Sequence, residues 1–335
     1  MPENQFSQAE THPIALAPHA KQALRTVHAR DVDEHAGNLT NWEQRYDQIT
    51  CGAFEGVLNE WHSTGLQIFH EGASRAIRQS CRVWSDAFWF GLEARPAGMR
   101  INGRQVGADI MMVRPGGCEF ELVTPDLHDI YGIVLQRDVL QTMAARLGCE
   151  TDWNRIGNAE MLNVEHDALD NCRKQIAALL RLAGDAHGST ANAALQLRQE
   201  AVLVSLLALL DVSQVEAEAG ASFLRRRRIV NDARAYAMAQ QETPVTIPML
   251  CEAVHVSRRT LQYCFEDVLG ISPMAYLRSL RLNGVRRALC EGNGKQAIGD
   301  IAAAWGFANF SQFSCDYKKL FGTTPSASLQ SKTRH

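Results

Sequence analysis

The chain has 335 residues, too many for one ordinary domain, and its 46% hydrophobic and 21% charged residues are the balance of a globular protein with a real core. The net charge of −3 conceals a split: Phe223 to His335 holds 16 Lys and Arg against 8 Asp and Glu, and the residues before it hold 18 against 29. The longest apolar run, Ala201 to Leu210, is about half the length a membrane span needs, and the first residues (MPENQFSQAETH) have neither a basic nor an apolar export region, so a cytoplasmic protein is expected.

In chain order, residues 1–35 read as an irregular segment. Residues 36–136 read mainly as strands, at Leu66–Phe69, Phe88–Leu92, Asp109–Val113, Glu119–Val123 and Tyr131–Leu135, with Asn102-Gly103 as a hairpin turn. Short strands punctuated by Gly and Pro predict a small antiparallel β-barrel. Residues 137–216 turn helical, with apolar positions at Leu169, Cys172, Ile176, Leu179 and Leu180 and a second helix over 192–212. That second helix is apolar on a wide face, which suits burial or a homodimer contact. Residues 217–224 read as a linker and 225–335 as an all-helical basic domain. The expected architecture is an α+β sensor, barrel plus helices, followed by an all-α domain.

The all-α part contains an internal repeat. Leu250-Cys-Glu-Ala-Val-His-Val256 lies over Ile301-Ala-Ala-Ala-Trp-Gly-Phe307 at a shift of 51. Leu261, Phe265, Gly270 and Pro273 then match Phe313, Tyr317, Gly322 and Pro325 at a shift of 52, so the second copy has one extra residue in its turn. Each copy reads as a short helix, a tight turn, a longer helix and a Gly-x-x-Pro stop. In a basic half, two such units predict two helix-turn-helix motifs on double-stranded DNA.

Burying Leu261, Phe265 and Val268 turns Arg259, Gln262 and Tyr263 outward, with Arg258 near the amino end that meets base edges. Arg is the usual bidentate reader of guanine and Gln of adenine. In the second copy the corresponding face holds Ser311, Gln312, Ser314 and Cys315, a set with less to read bases with. Lys318 and Lys319, and Arg278, Arg281, Arg286 and Arg287 on the helix between the copies, are candidates for phosphate contact. A connecting helix of about 17 residues spans roughly 26 Å, which with offsets holds two probes about one DNA turn apart.

The segments Val256-Ser-Arg-Arg-Thr-Leu-Gln262, Arg278-Ser-Leu-Arg-Leu-Asn283, Ile301–Phe307 and Phe321-Gly-Thr-Thr-Pro325 resemble the AraC/XylS family of bacterial transcription regulators. Asn41–Gln48, Arg78–Trp84, Phe88–Gly91 and Arg114–Leu122 are similar to the sensors of regulators that govern ethanolamine-utilisation operons. The resemblance implies an activator acting with RNA polymerase at promoter DNA, with ethanolamine and adenosylcobalamin as effectors. The alternative within the family is a sensor of another small metabolite.

An ammonium effector wants carboxylates and aromatic faces, and Trp61, Trp84, Phe88, Trp89, Glu119 and Glu121 supply both types. Asp126-Leu-His128 looks like part of a corrinoid-binding motif, but Tyr131 stands where that motif has Gly, so His128 reads as a loop histidine. No cofactor is expected to be needed for the fold. A metal-dependent barrel enzyme tethered to DNA is the reading from another class, but His62 and His70 lack a matching acid pattern, so no metal site is expected. The nine cysteines form no Cys-x-x-Cys pair and have no adjacent histidine, and nucleophile-elbow and phosphate-loop motifs are absent. No catalytic residues are expected.

Overall fold

The structure is a computed structural model that describes residues 24–185, 189–240, 245–292 and 296–331. The first half runs β1 (Arg25–Ala29), α1 (Val32–Ala36), β2 (Glu43–Gln48), β3 (Gly56–Ser63), β4 (Leu66–Ala73), β5 (Ile77–Arg82), β6 (Ala87–Glu93), β7 (Arg100–Ile101), β8 (Arg104–Gln105), β9 (Ile110–Pro115), β10 (Glu119–Thr124) and β11 (His128–Gln136). There follow α2 (Arg137–Leu147), α3 (Trp153–Asn158), β12 (Met161–Asn163), α4 (His166–Asp185), α5 (Ser189–Val212) and β13 (Gln214–Val215). The second half is helical: α6 (Ala221–Ala239), α7 (Ile247–Ala253), α8 (Arg258–Leu269), α9 (Pro273–Glu291), α10 (Ile298–Ala304), α11 (Phe310–Phe321) and α12 (Pro325–Ser331).

The strands form two stacked antiparallel sheets, one ordered β1-β3-β4-β11-β6-β9-β12-β13 and the other β2-β5-β10-β7-β8. The expected barrel is therefore corrected to a sandwich. β1 and β13 stand at opposite ends of the larger sheet and do not pair, because α4 and α5 dry its outer face without closure. Alternation along each strand divides the core in two. Ile68, Phe88, Phe90, Met111 and Ile133 meet the helices, while Phe69, Trp89, Met112 and Val134 meet the small sheet. Trp89 stacks on Phe120 of the small sheet at 4.7 Å. Each such ring, fully buried, contributes roughly 1.5–3 kcal/mol. Gly132 lets Phe69 lie across the sheet, since a Cβ there would come within 2.1 Å of the ring.

Several elements fall outside the sequence expectations. β1 and α1 occupy the end of the segment read as irregular, residues 1–23 lie outside the described residues, and α6 begins at Ala221, within the expected linker. The stretch Asn192–Val212 is 21 residues with a mean hydropathy of 1.5, long and apolar enough to cross a membrane, which corrects the shorter run read from sequence. Its Leu195, Val202, Leu203, Leu206, Leu207 and Leu210 pack into the sensor core, the place of a core helix.

The helical half has two cores strung on one helix. Tyr276, Leu277 and Leu280 of α9 join the core of α6, α7 and α8, and Leu282, Val285 and Leu289 of the same helix join that of α10 and α11. Val123 of the sensor enters the first of these cores. The outer face of the small sheet is charged and lies against the helical half. Arg78 bonds Asp47 at 3.4 Å and Glu121, Arg234 of α6 reaches Glu121 at 3.2 Å, and Arg287 of α9 reaches Asp33 at 3.1 Å and Asp47 at 2.7 Å. The amide of Asn283 bonds the backbone of Gln48 both ways, Nδ2 donating to its carbonyl at 2.9 Å and Oδ1 accepting from its N–H at 3.0 Å.

Candidate nucleic-acid interface

The duplicated unit is visible atom by atom. Ser257 caps α8 by accepting from Thr260 N–H, and Asn309 caps α11 by accepting from Gln312 N–H. The turns before them pass through the left-handed region at His255 (φ 53°) and Gly306 (φ 78°), and both long helices stop at a left-handed glycine, Gly270 (φ 73°) and Gly322 (φ 71°). The caps differ by 52 positions and the turn residues by 51, so the extra residue of the second copy lies between Gly306 and Asn309. Leu261, Phe265 and Val268, and Phe313, Tyr317 and Leu320, are buried as the hydrophobic spacing requires. That burial turns the opposite faces to solvent.

On α8, Arg258 and Arg259 are exposed and Tyr263 is 55% exposed, while Gln262 is half-buried and donates to Glu266 at 2.5 Å. Arg226 lies 5.5 Å over the Tyr263 ring and pairs with Asp267 at 2.7 Å. On α11, Ser311, Gln312 and Cys315 are exposed and Ser314 is half-buried, with Gln312 donating to Asp316 at 3.0 Å. Both faces stay exposed although the sensor touches α8 and α11 near their C-terminal ends.

Arginines expected on phosphates divide into two groups. Arg278, paired with Asp316 at 3.4 Å, is exposed with Lys318 and Lys319, whereas Arg281 is half-buried and burial lowers its pKa. Arg286 and Arg287 are corrected: Arg286 is 7% exposed, pairs with Asp31 and lies 4.7 Å over the Phe321 ring, and Arg287 is held by two sensor carboxylates. Charge counting could not separate a cation that meets solvent from one that meets another domain. Asp31, Asp33, Asp47 and Gln48, the sensor's side of this contact, carried no sequence signal.

The aromatic and acidic effector candidates do not converge. Trp61 and Phe88 face the helices and Trp89 faces the small sheet, as adjacent strand residues must. Trp84 is half-buried at the edge of the second core, Glu119 is exposed and bonded to Arg82, and Glu121 serves the interdomain contact. His128 is corrected too. It opens β11 at 3% exposure, and burial pushes its pKa down to about 4.

Residues 250–331 match the family model described as a helix-turn-helix domain. Over 103 residues the chain is 34% identical to the probable thc operon regulatory protein of Rhodococcus erythropolis, covering 30% of this chain and 31% of that one. It is 28% identical over 241 residues to the HTH-type transcriptional activator RhaR of Pectobacterium carotovorum, covering 69% of this chain and 81% of that one. A solved AraC-type DNA-binding domain protein of Chromobacterium violaceum is 30% identical, covering 32% of this chain and 95% of its own, with a TM-score of 0.30. Residues 250–331 are therefore a helix-turn-helix domain, and the curated proteins this chain is similar to are transcription regulators. The helix-turn-helix match falls on both copies of the unit, and the curated proteins are named as regulators, not as enzymes.

Proposed function

We propose that this protein reads promoter DNA with α8 and α11 in successive major grooves and controls transcription there in response to a small effector. The observation that carries it is the pair of helices, each with a side-chain cap on the third residue's N–H, whose polar faces remain exposed with the sensor docked. α9, at 19 residues, is about 28 Å long, which places the two units on the scale of one DNA turn. A footprint of the full chain on its own upstream region, at moderate salt, is expected to protect two adjacent grooves on one face. Protection of a single groove defeats the reading.

Ethanolamine and adenosylcobalamin are the effectors that the sensor's segments favour, and activation through RNA polymerase is the corresponding output. Adenosylcobalamin does not find its axial ligand in His128, which is enclosed between the sheets. Support for a homodimer comes from α5, whose solvent side carries Leu197, 67% exposed, and Val204, 46% exposed. Binding of each effector to the full chain, measured by calorimetry, checks the first point; sedimentation of a Leu197→Glu, Val204→Glu variant checks the second, with a shift to monomer expected.

A further inference from the structure

A cleft of about 540 Å³ lies where the sensor meets α9, and its walls come from both halves of the chain. The sensor contributes Asp33, Ala36 and Arg45; the helical half contributes Arg287, Glu291 and Trp305. The volume is in the usual range for small-molecule sites, roughly 300–1,000 Å³. Asp33 and Arg287 are already occupied with each other at 3.1 Å.

The remaining two charged groups, Arg45 and Glu291, have no direct ion-pair partner among the described residues. Around the contact, the guanidinium groups of Arg78, Arg234 and Arg287 share the carboxylates of Asp33, Asp47 and Glu121 in a closed set of ion pairs. Arg45 is a fourth cation beside them; Asp47 and Asp33 attract it, but its side chain makes no hydrogen bond or ion pair among the described residues. It is accessible from the cleft, yet desolvation, and then repulsion from Arg287, lowers its pKa. Glu291, exposed at the end of α9, likewise has no partner among the described residues. Trp305 stands half-buried in the same wall, its ring laid over Gly284, where a Cβ would come within 2.2 Å of it. The cleft thus offers one free cation, one free carboxylate and an aromatic surface.

We propose that this cleft binds a small zwitterion of the α-amino acid class, with its carboxylate on Arg45 and its ammonium between Glu291 and the Trp305 ring. A guanidinium takes a carboxylate in a two-point contact, and an ammonium is stabilised by a carboxylate and an aromatic face together. The ligand bridges sensor and DNA-binding half, so it binds the docked arrangement and favours it by mass action. Its regulatory consequence rests on the proposed transcriptional role; the binding itself does not.

The test uses the full chain and the twenty standard L-amino acids at about 10 mM in thermal unfolding. At least one is expected to raise the Tm by several degrees, on the order of 5 °C. For each hit, the matched amine, which lacks the carboxylate, and the matched hydroxy acid, which lacks the ammonium, are expected to bind at least tenfold more weakly by calorimetry. Arg45→Gln is expected to remove the advantage over the amine, and Glu291→Gln the advantage over the hydroxy acid. The proposal is overturned if no amino acid stabilises the protein, if the amine alone binds as well, or if both variants bind the hit unchanged. A two-groove footprint of the ligand-free chain alongside any of those results leaves the DNA reading standing and removes only this site.

Discussion

The two copies of the helix-turn-helix unit agree in everything the backbone demands and differ in everything it does not. Both have a polar cap, a left-handed residue in the turn, a left-handed glycine at the stop and three buried positions on the long helix. Their outward residues differ in type, apart from one glutamine on each: Arg259, Gln262 and Tyr263 in one, Ser311, Gln312 and Cys315 in the other. Backbone hydrogen bonds and core volume constrain the first set, and only a partner outside the chain constrains the second. Sequence specificity is therefore expected to be carried unequally. The copies also differ in how the sensor grips them. The carbonyl of Asp267, near the end of α8, accepts from the Arg100 side chain at 2.8 Å, whereas that of Leu320, at the end of α11, accepts from the Gly52 backbone at 2.9 Å and the Gln48 amide at 2.6 Å.

The sharpest way to separate grip from reading lies on α9, between the copies. Arg287→Ala leaves Asp47 and Asp33 without their cation in a poorly solvated contact and should cost about 3 kcal/mol in urea unfolding. Arg278→Ala, at a side chain 56% exposed, should leave stability within about 0.5 kcal/mol and instead weaken all DNA sequences alike. Equal stability losses from the two would erase the distinction between interfacial and DNA-facing arginines.

The glycine stops allow a finer comparison. Gly270→Ala places a Cβ in ordinary contact with the Arg100 side chain, 3.8 Å away, and should cost only the left-handed strain, about 1–2 kcal/mol. At Gly322 the same Cβ would come 2.7 Å from the backbone nitrogen of Ala53, so Gly322→Ala should cost about 1 kcal/mol more than its counterpart. If the two melt alike, the sensor does not rest on the second copy.

The smallest pair of effects concerns the reading faces. Arg259→Ala should lose about 1–3 kcal/mol of specific binding and relax base preference, by competition with random duplex. Ser311→Ala should change the same measurement by less than about 0.5 kcal/mol. A larger loss at Ser311 would move base reading to the second copy.

Much of this fold was legible because burial leaves a periodic trace. The five strands read from sequence lie in the two sheets, four of them in the larger one with both faces dry, so they show as continuous apolar runs. β2 and β5 escaped notice because they alternate core residues such as Tyr46 and Cys81 with Asp47 and Arg78, whose polar appearance hides burial against another domain. The recognition helices were readable from their caps and their repeat. The effector candidates were not, since residue type says which chemistry is available and not which face a strand presents.

One short sheet and the loop that leaves its β2 touch the tail of both probes, with Arg100 at the first and Gln48 and Gly52 at the second. Together they act as the frame of a calliper. The jaw separation is then a property of the whole chain, and a helical half released from its sensor should accept half-sites at a wider range of spacings than the intact regulator does.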